Sequence, residues 1–421
     1  MRKLIFALLI ILPAAAFGQN INGRLSSALY TFERFDSQNS SEKYIRTFEN
    51  IGLNFNLGNF SLVTRTNLEA NIGSSFDNDP RLRFYNLYLE ARKVFDIATF
   101  KIGRQSNFNS VAGGLFDGID LKLEKWDFTL SGFYGGNVPA YQKLELTKNW
   151  KDDYILGGKL ETGIVPNTRF AISYIDKNFK AVDYTALRIN ANLDPIQILI
   201  QEKSNQFKFV SGEASYFIDN VFNVYAQYDY DLNFEETSKF EITGRYEQIK
   251  DLGIELYYNY RQPLIRYNSI FSVFDFGNTY EIEGGVDYKF FDGFTAFGKF
   301  GNVEYKDDSS QRYTLGFSTD YGSVSYRKNL GYSGELDALS FYTGYSFFGG
   351  FFTPSVGVSF TQYKLSQSDD KNNLTTILAG FNVRPWKALS VDIQGQYMDN
   401  RIYKNDFRLL AKINYWFNTN L

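Results

Sequence analysis

Two residue types that carry much of enzyme chemistry are missing: the 421 residues include no histidine and no cysteine. Without imidazole there is no Ser-His or Asp-His relay and no His-built metal site, and without thiols no thiolate nucleophile or ligand. What the chain offers is charge, 44 Lys and Arg against 47 Asp and Glu. Glu281, Glu283 and Asp287 lie an even number of residues apart, so they share one face of an extended strand. Two neighbouring carboxylates can perform glycosidic acid–base chemistry, but Lys289 shares the same face. Mixed charge at period two is what the wall of a water-filled space requires. We therefore assign no catalytic residue, no cofactor and no metal ligand, and read the chain as a non-enzyme.

The elements that hold these charges are amphipathic strands. In Phe60 to Ile72, the residues Phe60, Leu62, Thr64, Thr66, Leu68, Ala70 and Ile72 fall on one face. Ser61, Arg65, Asn67, Glu69 and Asn71 fall on the other, with Val63 the exception. The pattern recurs in Tyr280, Ile282, Val286 and Tyr288 against Glu281, Glu283 and Asp287. It recurs again in Leu409, Ala411, Ile413, Tyr415 and Phe417 against Arg408, Lys412 and Asn414. Leu187, Ile189 and Ala191 against Arg188 and Asn190 read as a further such strand. Strands of roughly 9 to 11 residues with one continuous apolar face are what a membrane barrel needs. Aromatic residues make up 18% of the chain, with 31 Tyr and 41 Phe, which favours strands and supplies the aromatic rims of such a barrel.

The first residues set the compartment. Arg2 and Lys3 precede an apolar run from Leu4 to Phe17, and small residues stand at Ala16 and Gly18. This is the pattern of a secretory signal cut before Gln19, and the run is short of the roughly 20 residues of a helical span. The expected organisation is a signal peptide over residues 1–18 and a single unit over 19–421. No later apolar run reaches helical-span length, and the mean hydropathy is −0.31. The balanced charge argues against a nucleic-acid partner.

Tight turns alternate with longer polar segments, matching the short periplasmic turns and long extracellular loops of outer-membrane barrels. Expected turns are Gly58-Asn59, Phe95-Asp96, Pro166-Asn167, Asp194-Pro195, Asp219-Asn220, Lys250-Asp251, Asp292-Gly293, Gly349-Gly350 and Pro385-Trp386, with weaker ones near Trp126 and Tyr321. Phe60, Phe95, Phe222, Phe290, Phe294, Phe351 and Trp386 form the expected periplasmic girdle. The fold class is all-β, a single transmembrane antiparallel β-barrel with an even strand number of roughly 16–24.

Residues Phe100 to Gly136 carry a family likeness. A strand ending in Gly103-Arg104-Gln105, then a loop, Gly113-Gly114, Asp117-Gly118 and a hairpin resemble the corresponding region of Gram-negative outer-membrane porins. The resemblance implies a loop folded inward to narrow a pore, and the segment Gln105 to Phe116, which lacks strand alternation, is expected to form it with Arg104 and Asp117 at its two ends. The chain departs from the porin pattern at its end, where Asn-Thr-Asn-Leu follows Phe417. Alginate-type exporters also resemble it in Gly-Arg-Gln.

Parity and this resemblance name the pore-lining candidates Arg65, Glu69, Arg104, Asp117, Arg188, Arg245, Glu281, Glu283, Asp287 and Lys412. Charges of both signs argue against a dedicated anion funnel. They fit a porin-like channel for passive diffusion of small hydrophilic solutes or ions across the cell outer membrane. A gated or substrate-specific transporter or exporter would use the same wall, and so would a non-conducting structural barrel. Expected partners are outer-membrane lipid, small hydrophilic solutes and the barrel-assembly machinery, with a homo-oligomer left open.

Overall fold

A computed structural model describes residues 20–35, 41–73, 80–107, 113–139, 144–180, 184–189, 194–200, 207–263, 277–306, 308–331, 336–364, 368–400 and 406–420. The first strands are β1 (Asn20–Phe35), β2 (Ser41–Leu57), β3 (Phe60–Ile72), β4 (Arg81–Val94), β5 (Ala98–Asn107), β6 (Gly114–Lys125), β7 (Phe128–Asn137), β8 (Tyr154–Thr162) and β9 (Thr168–Asn178). Then come β10 (Tyr184–Ile189), β11 (Pro195–Ile200), β12 (Phe207–Ile218), β13 (Phe222–Asp231), β14 (Glu236–Tyr246), β15 (Leu252–Arg261) and β16 (Thr279–Phe291). The last are β17 (Phe294–Glu304), β18 (Ser309–Thr319), β19 (Gly322–Gly331), β20 (Leu336–Gly344), β21 (Phe352–Tyr363), β22 (Asn372–Trp386), β23 (Leu389–Asp399) and β24 (Asp406–Asn420).

Twenty-two of these strands form one closed antiparallel sheet. Each pairs with its sequence neighbours, except that β9 pairs with β12, and β1 pairs with β24 from Asn20↔Asn420 to Tyr30↔Leu410. Closure leaves no free edge along the ring, so the backbone N–H and C=O groups are satisfied within the sheet. An all-antiparallel ring must have an even strand count, and 22 falls inside the expected range.

The strands β10 and β11 pair only with each other, from Tyr184↔Ile200 to Ile189↔Pro195. The expectation of a barrel strand around Leu187 and Arg188 is therefore corrected, and so is the turn at Asp194-Pro195. Both lie in a hairpin inserted between β9 and β12, where Leu187 is 65% exposed. Alternation along one strand does not say which strand lies beside it.

At one end of the barrel the connections are short. The expected turns at Gly58-Asn59, Phe95-Asp96, Pro166-Asn167, Asp219-Asn220, Lys250-Asp251, Asp292-Gly293 and Gly349-Gly350 all lie there, as do Trp126 and Tyr321. The turn expected at Pro385-Trp386 falls two residues later, at Lys387-Ala388, because β22 continues to Trp386. Trp126 and Asp127 both have positive φ, 53° and 62°, the two left-handed positions that a two-residue hairpin turn demands. The loops expected at the opposite end include residues 36–40 and 74–79, which lie outside the described residues.

Curvature fixes which face is which. Side chains on a convex wall splay apart, whereas those on a concave wall crowd together. On β16 the apolar set Tyr280, Ile282, Val286 and Tyr288 is exposed, while Glu281, Glu283 and Asp287 are half-buried among ion pairs. The apolar set is thus the outer face. Large exposed apolar residues recur on this face around the ring, among them Leu89, Ile102, Ile172, Leu256, Leu315, Leu339 and Ile413. Aromatics crowd both its ends. Phe60, Phe95, Trp126, Phe290, Phe351 and Trp386 are exposed at the turn end. Tyr134, Tyr174, Tyr228 and Tyr280 are exposed towards the loop end.

Candidate functional site

The inner wall is built by residues of one parity on each strand, and the sheet register decides which of them meet. Glu69 on β3 takes Arg46 of β2 at 3.3 Å and Arg83 of β4 at 3.6 Å. Arg312 on β18 reaches Glu281 at 2.7 Å and Glu283 at 2.6 Å, while Lys299 on β17 bridges Glu255 at 2.9 Å and Glu283 at 3.7 Å. Arg245 on β14 grips Asp287 on β16 through two hydrogen bonds, 2.8 and 3.1 Å. Two strands along the wall from β14, Glu213 of β12 meets Lys159 of β8 at 2.9 Å.

Several of these bridges skip a strand, and glycine makes that reach possible. Gly253 on β15 lies between Arg245 and Asp287, and a Cβ there would sit 2.6 Å from Asp287 Oδ1. Gly301 on β17 underlies the Glu283–Arg312 bridge in the same way, with Glu283 Oε2 3.3 Å from the Cβ position. The missing side chain lets the ion pair lie flat on the backbone of the middle strand.

Between the inward Arg312 of β18 and Arg327 of β19 and the strands beyond, one row of the wall is uncharged. Register aligns Gly316, Ser325, Ser340, Ser359 and Thr376 in one row across five strands of the inner face. The Ser340 and Ser359 hydroxyls approach to 3.3 Å. Small neutral side chains therefore form a row that adjoins the ion pairs of β16 and β18.

Arg104 and Asp117 are brought together by the β5–β6 register. Arg104 Nε donates to Asp117 Oδ1 at 2.7 Å and Nη2 donates to Oδ2 at 2.9 Å. Arg104 Nη2 also donates to the Glu145 carbonyl at 2.7 Å, and the Thr147 amide donates to Asp117 at 2.8 Å. Both residues are only 2% exposed. Parity puts them on the outer side, in line with Leu87 and Ile102, under the segment leading from β7 to β8. The pair is a sealed clamp between that segment and the wall, whereas a pore-lining position had been expected for it.

The inner side at the same height is apolar. Phe116, Ile155, Ile175 and Phe209, from β6, β8, β9 and β12, form a cluster with no more than 2% exposure. Phe133 packs against it, 5.6 Å from Phe116 between ring centres. Beside this cluster Lys177 of β9 donates to the Gly113 carbonyl at 2.8 Å. Gly113 immediately precedes β6, and β7 and β8 separate that strand from β9. Both described ends of the segment Gln105 to Phe116 belong to the wall, where Gln105↔Phe116, Ser106↔Leu115 and Asn107↔Gly114 pair between β5 and β6, and the Lys177 side chain reaches across to Gly113, just before β6. The segment's residues 108–112 lie outside the described residues.

The remaining candidates are scattered. Arg65 faces inward with its guanidinium 6.0 Å from the Tyr85 ring. Lys412 lies in register with Asp392, which accepts hydrogen bonds from Asn382 at 2.6 Å and Asn414 at 3.2 Å. Arg188 belongs to the β10 hairpin, outside the barrel sheet, and its side chain is outside the described residues. Sequence reasoning passed over Arg46, Arg83, Lys159, Lys177 and Arg312. For Arg312 the signal was present, since Arg312 and Thr314 alternate with Tyr313, Leu315 and Phe317. Reach across a neighbouring strand was not.

No family model and no curated relative matches the chain. Solved structures similar to it include OccAB4 of Acinetobacter baumannii, at 10% identity, with 95% of this chain and 98% of that one covered and a TM-score of 0.44. A BenF-like porin from Pseudomonas fluorescens Pf-5 has 9% identity, coverage of 96% and 100%, and a TM-score of 0.44. The translocation pore of the P pilus usher PapC has 9% identity, coverage of 95% and 99%, and a TM-score of 0.47.

Proposed function

We propose that the chain is an outer-membrane channel through which small hydrophilic solutes or ions diffuse. One observation carries the reading: the two faces of a single closed wall have opposite chemistry. The outer face is an exposed apolar band between two aromatic rims. Exposed apolar area costs about 25 cal/mol per Å2 in water and nothing comparable in hydrocarbon, so the band fits a bilayer. The inner face carries paired charges and hydroxyls, which need water. A secretory signal cut before Gln19 supports export to the outer membrane.

Because cations and carboxylates on the inner wall neutralise each other locally, the lumen favours neither sign strongly. The ion-paired arcs and the serine row give it a transverse polarity that orients dipolar solutes as they pass. The segment from Gln105 to Phe116 sets the narrowest point, a reading supported by the tie from Lys177 to Gly113 on the inner face. Outer-membrane lipid is the solvent of the outer band, and the barrel-assembly machinery is the expected insertion partner. Swelling of proteoliposomes in neutral sugars tests the proposal. Swelling rates that fall with sugar size are expected, and inserted barrels that admit no solute of any size contradict it.

A further inference from the structure

Around the seam where β24 meets β1, the outer face carries a groove of about 490 Å3 walled by Leu25, Ile51, Leu68, Phe84 and Ile413. One carboxylate, Glu49, lines this apolar groove. Parity turns Glu49 outward with Ile51 and Phe55, and register sets it beside Ser27 on β1 and Leu68 on β3. Ser27 lies opposite Ile413, close to half-way along β24 between the outward rings of Phe407 and Phe417. Glu49 therefore sits at mid-height of the apolar band. Other outward carboxylates, such as Asp176, Asp337 and Asp399, stand at the loop ends of their strands.

Ser27 Oγ donates to Glu49 Oε1 at 2.8 Å. That serves one of roughly four lone-pair positions on a carboxylate. Among the described residues no cation reaches Glu49. An ionisable group facing hydrocarbon is costly and is normally paired.

We propose that this groove binds one membrane amphiphile, an apolar chain bearing an amine that pairs with Glu49. The inference rests on the membrane-spanning reading given above. Its volume lies within the roughly 300–1,000 Å3 of small-molecule sites, whereas docking a protein takes about 800 Å2 of surface on each partner. A second copy is also poorly matched in charge. Outward lysines such as Lys125, Lys208 and Lys328 stand near strand ends, far from mid-height.

The test uses the full chain in lipid nanodiscs, titrated with dodecylamine or with dodecanoic acid, with bound ligand counted by native mass spectrometry. Saturable binding of one amine per barrel is expected, weakened about tenfold or more in Glu49→Leu and Glu49→Gln, with no saturable binding of the acid. Heat-modifiable gel mobility shows that the variants are folded. Equal amine affinity in wild type and both variants, equal binding of the acid, or unsaturable partitioning throughout would each overturn the proposal. A chain that never enters nanodiscs contradicts the membrane reading itself, so the two failures are told apart.

Discussion

Gly253 lies beneath the Arg245–Asp287 bridge, and the atoms a methyl group would meet there belong to the ends of those two flexible side chains. Gly253→Ala should therefore displace the bridge and leave the backbone in place. Arg245 keeps its second partner, Glu247, so Asp287 is the charge set free. We expect the cation-to-anion permeability ratio to rise, with a stability loss below about 1 kcal/mol because the pair is partly solvated. Reversal potentials in a salt gradient and a urea titration check the two halves. An unchanged ratio would show that this bridge does not face the conduction path.

Arg104 and Asp117 form the opposite case, because both are buried and each is fixed by backbone of the segment after β7. Asp117→Ala leaves a guanidinium without its counter-charge and should cost about 3–5 kcal/mol. Exchanging both residues for apolar ones of similar volume, Arg104→Met with Asp117→Leu, should recover most of that loss. Urea-dependent unfolding of the refolded variants measures this, and a single substitution that costs nothing would show the clamp to be dispensable. The pairing of positions 104 and 117 was within reach of sequence reasoning, which put them at the two ends of one loop. Their seal was not, because it is made by Glu145 and Thr147, whose approach depends on the fold of another connection.

Among the elements, the segment between β5 and β6 bears most directly on passage. The Lys177 side chain reaches across to its Gly113 end. Deleting Ser110 to Leu115 should widen the lumen, raise single-channel conductance and loosen size exclusion while leaving insertion intact. Lys177→Ala should move conductance in the same direction by less, since it removes one tie and no bulk. A correctly inserted deletion variant with unchanged conductance would place the constriction elsewhere. The same scale shows what alternation can and cannot reveal. Ile282 and Glu283 were assigned to opposite faces from period two alone, because a strand's side chains must alternate. Leu187 and Arg188 alternate equally well, yet their strand pairs only with β11 and stands outside the ring. In β4, Tyr85 is the extra residue of a bulge opposite Arg65 and Thr66, and such shifts of register leave no clear mark in the sequence.

For the whole molecule, the central matter is the solvent on each side of the wall. Ile413 and Lys412 are adjacent on β24 and face opposite ways, Ile413 exposed on the outer band and Lys412 in register with the inward Asp392. Ile413→Arg should cost about 2–4 kcal/mol in lipid, where the guanidinium loses its water. Lys412→Ile should alter conductance more than folding. Equal tolerance of both changes would mean that the faces, or the membrane, are misassigned.

The most direct test of the channel reading is single-channel recording of the purified, refolded barrel in planar lipid bilayers. With opposite chemistry on its two faces, the wall is expected to give discrete, stable steps of current in simple salt, without added ligand. Steps that appear only with a particular solute would indicate a gated transporter. A barrel that inserts, shows heat-modifiable mobility and yet stays electrically silent in every salt would contradict the account.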